Sequence, residues 1–199
     1  LADVLGPSGA AEIAGNTVFR THIIADRCKG IANSRHASLQ KIALGSSAMA
    51  NILSRRTLSW FFQRTIFTNM GDMTPFLALN DLDTAIAPLV ESNVIDAMIA
   101  SGSIPFILEG VRDIEGASKG LYWDGGITDY HFDMPFTELD GLVLYPHFSP
   151  KIVPGWFDKM LRWRRPPLKH FDNVVLLTPS AEWTASLPVA KIPDRTDFE

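Results

Sequence analysis

The sequence has a single cysteine, Cys28, among 199 residues. One cysteine cannot form an internal disulfide or supply a multi-cysteine zinc site, and it fits a reducing compartment, which favours the cytoplasm. No uninterrupted apolar run approaches the roughly 18 residues that a membrane-spanning helix needs. The first residues also lack the basic region and apolar core of a signal peptide. We therefore expect a protein that is soluble or peripheral to a membrane.

An excess of positive charge is also missing, since the formal net charge is −4 at pH 7. Without a positive field to attract phosphate backbones, nucleic-acid binding is not expected. Neither G-x-G-x-x-G nor G-x-x-x-x-G-K-[ST] occurs, which argues against a nucleotide-binding α/β domain. Hydrophobic residues make up 46% and charged residues 20% of the chain. This composition and length predict one globular domain over residues 1–199.

The chemically most suggestive stretch lies around Asp124. The aromatic segment Leu121–Trp123 predicts a strand, and Asp124 follows it, directly before Gly125 and Gly126. A carboxylate at a strand end, followed by two residues that can take a positive φ, is well placed for a ligand. The same Asp-Gly pair is also a common hairpin signal, so a simple turn is the alternative interpretation.

Three segments around Asp124 resemble the second half of a patatin-like phospholipase domain. These are Ala-Ser-Gly-Ser-Ile-Pro at residues 100–105, Tyr-Trp-Asp-Gly-Gly at 122–126 and Met-Pro-Phe at 134–136. The resemblance implies a three-layer α/β/α sandwich with a mostly parallel central sheet. It further implies acyl-ester hydrolysis in lipids by a Ser/Asp dyad, with no cofactor. Asp124 matches the dyad aspartate, which acts as general base, and the residues that match the supporting motifs are Ser101, Gly102, Pro105, Gly125 and Gly126.

In that family the nucleophile motif, G-x-S-x-G, and a Gly-rich oxyanion loop lie upstream of the segments matched here, and neither occurs upstream of residue 100 in this chain. Residues 6–10 and 45–49 come nearest there, but each ends in a residue other than glycine. We therefore expect this chain to be the C-terminal part of a longer hydrolase and to be inactive alone. The alternative is a lipid-binding or interaction domain that keeps the fold without the chemistry.

Two groups of residues raise the possibility of a metal or acid/base site. Asp124, Asp129, His131, Asp133 and Asp140 form an acidic neighbourhood, but no EF-hand or His-x-x-x-His pattern accompanies them. We expect hydrogen-bonded or solvated carboxylates there and predict no metal. The second group is a pair on one predicted strand over residues 17–26. An even spacing puts its two members, His22 and Asp26, on the same strand face.

Apolar spacing predicts the remaining elements. Residues 38–67 have a spacing that predicts two helices, broken near Gly45 and again near residues 55–57. The second contains the aromatic stretch 60–64, which either packs on the sheet, lines an acyl-chain site or lies on a membrane. A further helix is predicted over residues 93–100. Residues 141–146 and 173–178 predict strands of a sheet that is buried on both faces.

The segment Trp156–Arg165 combines tryptophans with basic residues. Its apolar side chains fall on one face of a predicted helix, namely Trp156, Phe157, Met160, Leu161 and Trp163. Such a helix can rest in a lipid interface with its cations near anionic headgroups, which makes it the candidate for peripheral membrane contact. The alternative is a surface helix packed on the domain.

Overall fold

The computed structural model describes residues 1–71, 75–136 and 140–193. The helices are α1 (Ala2–Leu5), α2 (Gly9–Gly15), α3 (Ala37–Leu53), α4 (Val94–Ser101), α5 (Gly126–Asp129) and α6 (Ala181–Ala185). The strands are β1 (His22–Cys28), β2 (Phe62–Thr68), β3 (Thr84–Pro88), β4 (Val111–Arg112), β5 (Leu121–Asp124), β6 (Val143–Pro146) and β7 (Val174–Leu177). The fold is mixed α/β. In the described ranges, no helix is long and apolar enough to cross a membrane.

Five strands form the main sheet in the order β3-β2-β1-β5-β4. Only the β2–β3 pair is parallel, while β1–β2, β1–β5 and β4–β5 are antiparallel. The expectation of a mostly parallel sheet is therefore wrong. Short apolar runs indicate that a strand is buried on both faces, but either strand direction can satisfy that burial, so the pattern does not fix direction.

Helices pack on both faces of this sheet, because successive side chains of a strand point to opposite sides. On one face, Leu121 and Trp123 of β5 join a core that includes Ala43 of α3. On the other face, Tyr122 joins a core that includes Val94 and other residues of α4, with parts of α2 packed against it. The alternation places the side chain of Asp124 on the same face as Tyr122.

The segment between β1 and β3 differs from the prediction. Helix α3 runs without a break through Gly45 and ends at Leu53. The aromatic stretch that reads as a second helix instead forms a 3₁₀ turn, Arg55–Trp60, followed by strand β2. Phe62, Ile66 and Phe67 of β2 are fully or almost fully buried in the sheet. Tertiary burial overrides the local helical spacing here.

The chain divides into two compact units. The larger unit comprises Leu1–Phe132 and Val153–Arg164, and the smaller one the described residues of Asp133–Ile152 and Arg165–Glu199. In the smaller unit, β6 and β7 pair in parallel. Leu144 is 63% exposed and Leu177 is 58% exposed. The predicted burial of these strands on both faces is therefore wrong, since one face of this two-stranded sheet is open.

Candidate functional site

Asp124 is the last residue of β5, which lies between β1 and β4 in the main sheet. Its backbone N–H donates to the carbonyl of Ser103 over 3.0 Å, and it lies opposite Ala25 of β1 in the register. Its carboxylate Oδ1 accepts a hydrogen bond from the N–H of Gly126 at 2.7 Å. Three neighbouring segments therefore fix the position of this carboxylate.

The two glycines after Asp124 are needed for space rather than for a positive φ. Gly125 has φ −61° and ψ −16°, and Gly126 begins helix α5. A Cβ on Gly125 would lie 2.5 Å from the carbonyl oxygen of Ile24, while a Cβ on Gly126 would lie 3.0 Å from Oδ1 of Asp124. The hairpin interpretation is wrong, because the chain turns into α5 and not into a returning strand.

A cavity of about 470 Å³ adjoins Asp124 at this end of the sheet. Ser101, Gly125 and Gly126 line it together with Asp124, whereas Gly102 and Pro105 do not. The remaining lining residues are His22, Ile23, Ile24, Met98, Asp129, Tyr130 and Phe132. The structure thus brings four of the six predicted site residues to one hollow, and the other two lie in the segment that leads from α4.

Burial raises the pKa of Asp124, while the Gly126 N–H and the positive charge of Lys159 act in the opposite direction. The ammonium of Lys159 lies 3.7 Å from the ring centroid of Tyr130, which also lines the cavity. A carboxylate with a raised pKa accepts a proton more readily near neutral pH. The local environment therefore makes Asp124 a better base than an exposed aspartate.

Ser103 positions Asp124, and sequence reasoning did not single it out. The residue is fully buried. Its hydroxyl oxygen lies 2.7 Å from the carbonyl oxygen of Ile99 and 3.0 Å from the carbonyl oxygen of Glu109. The hydroxyl can therefore donate a hydrogen bond to either carbonyl. Through its own carbonyl it holds the backbone of Asp124. A buried serine just past the end of a helix is the signal that could have revealed it, because such a hydroxyl needs a partner and often caps the helix.

Asp129, from the acidic neighbourhood predicted after Asp124, belongs to an ion network. Asp129 accepts two hydrogen bonds from the guanidinium of Arg64, at 2.6 and 2.8 Å. The same guanidinium also holds Asp81, at 2.8 and 3.1 Å. Within the described residues, no group of three or more His, Cys, Asp or Glu could hold a metal ion. These carboxylates therefore serve a buried ion network beside the cavity.

Asp26 adjoins this buried network through Thr128. The Thr128 hydroxyl lies 2.8 Å from Asp26 and 2.8 Å from Asp129, but its single hydrogen can serve only one of these contacts. A proton on Asp26 would supply the second hydrogen. Burial and the nearby Asp129 charge raise the pKa of Asp26 well above its usual value. The hydrogen-bond geometry and the raised pKa both favour the protonated form of Asp26 in the folded protein.

His22 and Asp26 share a strand face, as predicted, but do not form an acid/base pair. Four residues along a strand separate them by about 13 Å. His22 lines the cavity, and burial lowers its pKa. Asp26 is instead fully buried against Thr128. The two side chains therefore belong to different environments, and only His22 can reach a ligand beside Asp124.

The segment Trp156–Arg165 is not one amphipathic helix. A 3₁₀ turn, Trp156–Met160, is followed by an irregular stretch in which Leu161 is buried. Met160 is 87% exposed and Trp163 is 69% exposed, so the predicted apolar face is divided. The guanidinium of Arg164 points inward and donates to Asp158 and to the backbone of residues 51 and 52.

Comparison with known proteins adds no assignment, because no family model, curated protein or solved structure matches this chain.

Proposed function

We propose that this chain is the aspartate-bearing part of a patatin-like lipid acyl hydrolase, with Asp124 as the general base. The observation that carries the proposal is the placement of Asp124. Its carboxylate sits at the end of a strand inside the main sheet, with a raised pKa, and it lines a cavity of about 470 Å³. Pockets of roughly 300 to 1,000 Å³ are typical of small-molecule sites.

The chemistry follows from the position of this carboxylate. Asp124 accepts the proton of a serine hydroxyl, whose oxygen attacks the ester carbonyl and forms a tetrahedral intermediate. The proton then passes to the leaving alcohol, and water releases the acyl group in a second, equivalent step. The serine and the oxyanion donors come from chain outside this sequence, since no G-x-S-x-G precedes the segments matched to the family. The G-x-S-x-G at residues 116–120 lies between β4 and β5 and leads into a strand, not into a helix.

The proposal extends to the layered fold of that family. Helices α3 and α4 pack on opposite faces of one sheet, which is the layering that a three-layer sandwich requires. The antiparallel pairing of β1 with β2 and β5 departs from the expected strand direction. The likeness therefore rests on the layers and on the site, and not on the sheet alone.

The proposal includes peripheral membrane contact. Of the segment Trp156–Arg165, we assign this contact to four residues, Lys159, Met160, Arg162 and Trp163. All four are exposed, so two large apolar side chains alternate with two cations. Such a surface suits the interface of an anionic bilayer. Lys159 also stacks on Tyr130 of the cavity wall. Docking through this segment would bring the cavity entrance close to the lipid.

The test is acyl-ester hydrolysis by the natural protein that contains this chain. Asp124→Asn is expected to keep the fold and lower the rate at least about a thousandfold, because it removes the base while preserving shape. Asp96→Asn, which changes an exposed carboxylate on α4 away from the cavity, is the matched control and should leave the rate unchanged. Undiminished turnover in Asp124→Asn removes the assignment.

A fluorophosphonate probe locates the nucleophile in the same samples. Labelling is expected on a serine outside these 199 residues, and this chain alone should remain unlabelled. Labelling that disappears in Ser101→Ala would instead place the nucleophile inside the cavity. If the natural protein neither hydrolyses esters nor reacts with the probe, the non-catalytic lipid-binding alternative holds.

A further inference from the structure

A second cavity, of about 510 Å³, lies wholly within the smaller unit. Tyr145 of β6 with Val174 and Leu176 of β7 supply the sheet side of this cavity, because the register places these three side chains on one face. The opposite wall is also mainly apolar and consists of Pro150, Ile152, Pro166, Leu168 and Phe171. An apolar hollow of this volume can enclose an aliphatic chain.

Two cations line the same cavity. Lys151 and Arg165 are both exposed, and no carboxylate is among the described lining residues. In the part of the chain that the structure describes, neither side chain forms an ion pair. Over the described residues, the cavity therefore combines apolar walls with positive charge that no carboxylate pairs with.

We propose that this cavity binds a single aliphatic chain that ends in a carboxylate. The chain fills the apolar hollow, while the carboxylate meets Lys151 and Arg165 in solvent. A neutral lipid would leave the two cations without a partner, and a cationic amphiphile would be repelled by them. The inference goes beyond the proposed hydrolase and does not depend on it, since every residue that carries it lies outside the Asp124 site.

The first experiment compares three ligands of equal chain length, each kept below its micelle-forming concentration. By isothermal titration calorimetry, decanoate is expected to bind more tightly than decanol and much more tightly than decyltrimethylammonium. Lengthening the chain from octanoate to decanoate should tighten binding by up to about fifteenfold, because each buried methylene contributes about fourfold. Equal affinity for decanoate and the ammonium ligand overturns the proposal.

The second experiment removes the charge without altering the walls. Because exposed ion pairs are individually weak, Lys151→Gln with Arg165→Gln should weaken decanoate binding about five- to twentyfold and leave decanol binding unchanged. Lys169→Gln removes an exposed cation that does not line the cavity, and it is the matched control. If the double variant keeps the full preference for decanoate over decanol, the cations have no part in binding and the proposal fails.

The third experiment locates the ligand. In spectra of methyl-labelled protein, decanoate should shift the methyl resonances of Ile152, Val174 and Leu176. Shifts confined to Ile23 and Ile24, which line the Asp124 cavity, would place the ligand in the other site and refute the inference. Val174→Trp fills the hollow and should weaken all bound ligands. Circular dichroism establishes that this variant is folded, and the charge variants test the proposal independently of it.

Discussion

The raised pKa of Asp26 predicts a specific pH dependence of stability. Its carboxyl is fully buried, accepts the Thr128 N–H at 2.9 Å and shares the Thr128 hydroxyl with Asp129. In the unfolded chain an aspartate has a pKa near 3.9, whereas burial raises the pKa of Asp26 well above that value in the folded state. The stability contributed by the protonated form is therefore complete below about pH 4 and is lost as the pH rises toward the folded pKa.

The size of the effect follows from proton linkage. While the native state holds a proton that the unfolded state has released, the free energy of unfolding falls by about 1.4 kcal/mol per pH unit. Asp26→Asn removes this dependence, and its amide can still donate to the Thr128 hydroxyl and accept from the Thr128 N–H. Above about pH 4 the variant should therefore gain stability relative to the wild type, by up to about 1.4 kcal/mol per pH unit, until the pH reaches the folded pKa of Asp26.

The measurement is urea unfolding followed by far-UV circular dichroism at several pH values for both proteins. The difference between the two curves cancels the titration of groups that do not interact with residue 26. Asp96→Asn, an exposed substitution, should give a difference that does not change with pH. A wild type that becomes more stable than Asp26→Asn as the pH rises would show that Asp26 is ionised in the fold, which would refute the proton assignment.

Two further predictions concern local packing and are measured by the same unfolding experiment. Gly125→Ala should lower the free energy of unfolding by about 1 to 3 kcal/mol because its Cβ would press on the Ile24 carbonyl, whereas Gly45→Ala, with nothing within 4 Å, should raise it by about 0.5 to 1 kcal/mol. Changes of the same sign at both glycines would contradict this packing. Asn93→Ala should cost about 2 to 3 kcal/mol, because the buried Asn93 side chain bonds the Val90 N–H and the carbonyls of residues 88 and 115. A cost below about 0.5 kcal/mol would show that these contacts are replaced by water.

The sequence predicts those parts of the fold in which local pattern and tertiary burial agree. The strand before Asp124 and the apolar helix α4 are of this kind, because their side-chain spacing matches the faces they bury. Strand β2 is not, since its aromatic residues have a helical spacing but are required in the sheet. The direction of the strands could not be predicted either, because an apolar run carries no information on whether the neighbouring strand is parallel or antiparallel.

At the candidate site, too, the sequence predicts the residues that a local motif marks and misses those whose role depends on distant partners. Asp124 could be found because a motif marks it, and Ser101 because it belongs to a second motif nearby. Ser103 and Asp26 could not be assigned roles, since these depend on partners distant in sequence, such as Asp124 for the former and Thr128 for the latter. The sequence also could not show why residue 125 is glycine, because the atom that a Cβ would clash with is the carbonyl oxygen of Ile24 on another strand.

The raised pKa of Asp26 also bears on the electrical charge of the native molecule. The formal charge of −4 counts every aspartate as ionised. At a pH between the unfolded and the folded pKa of Asp26, the folded chain holds a proton that the unfolded chain has released, and its charge is less negative. In that pH range the native and unfolded forms differ in electrophoretic mobility as well as in size, and unfolding releases a hydrogen ion into the buffer.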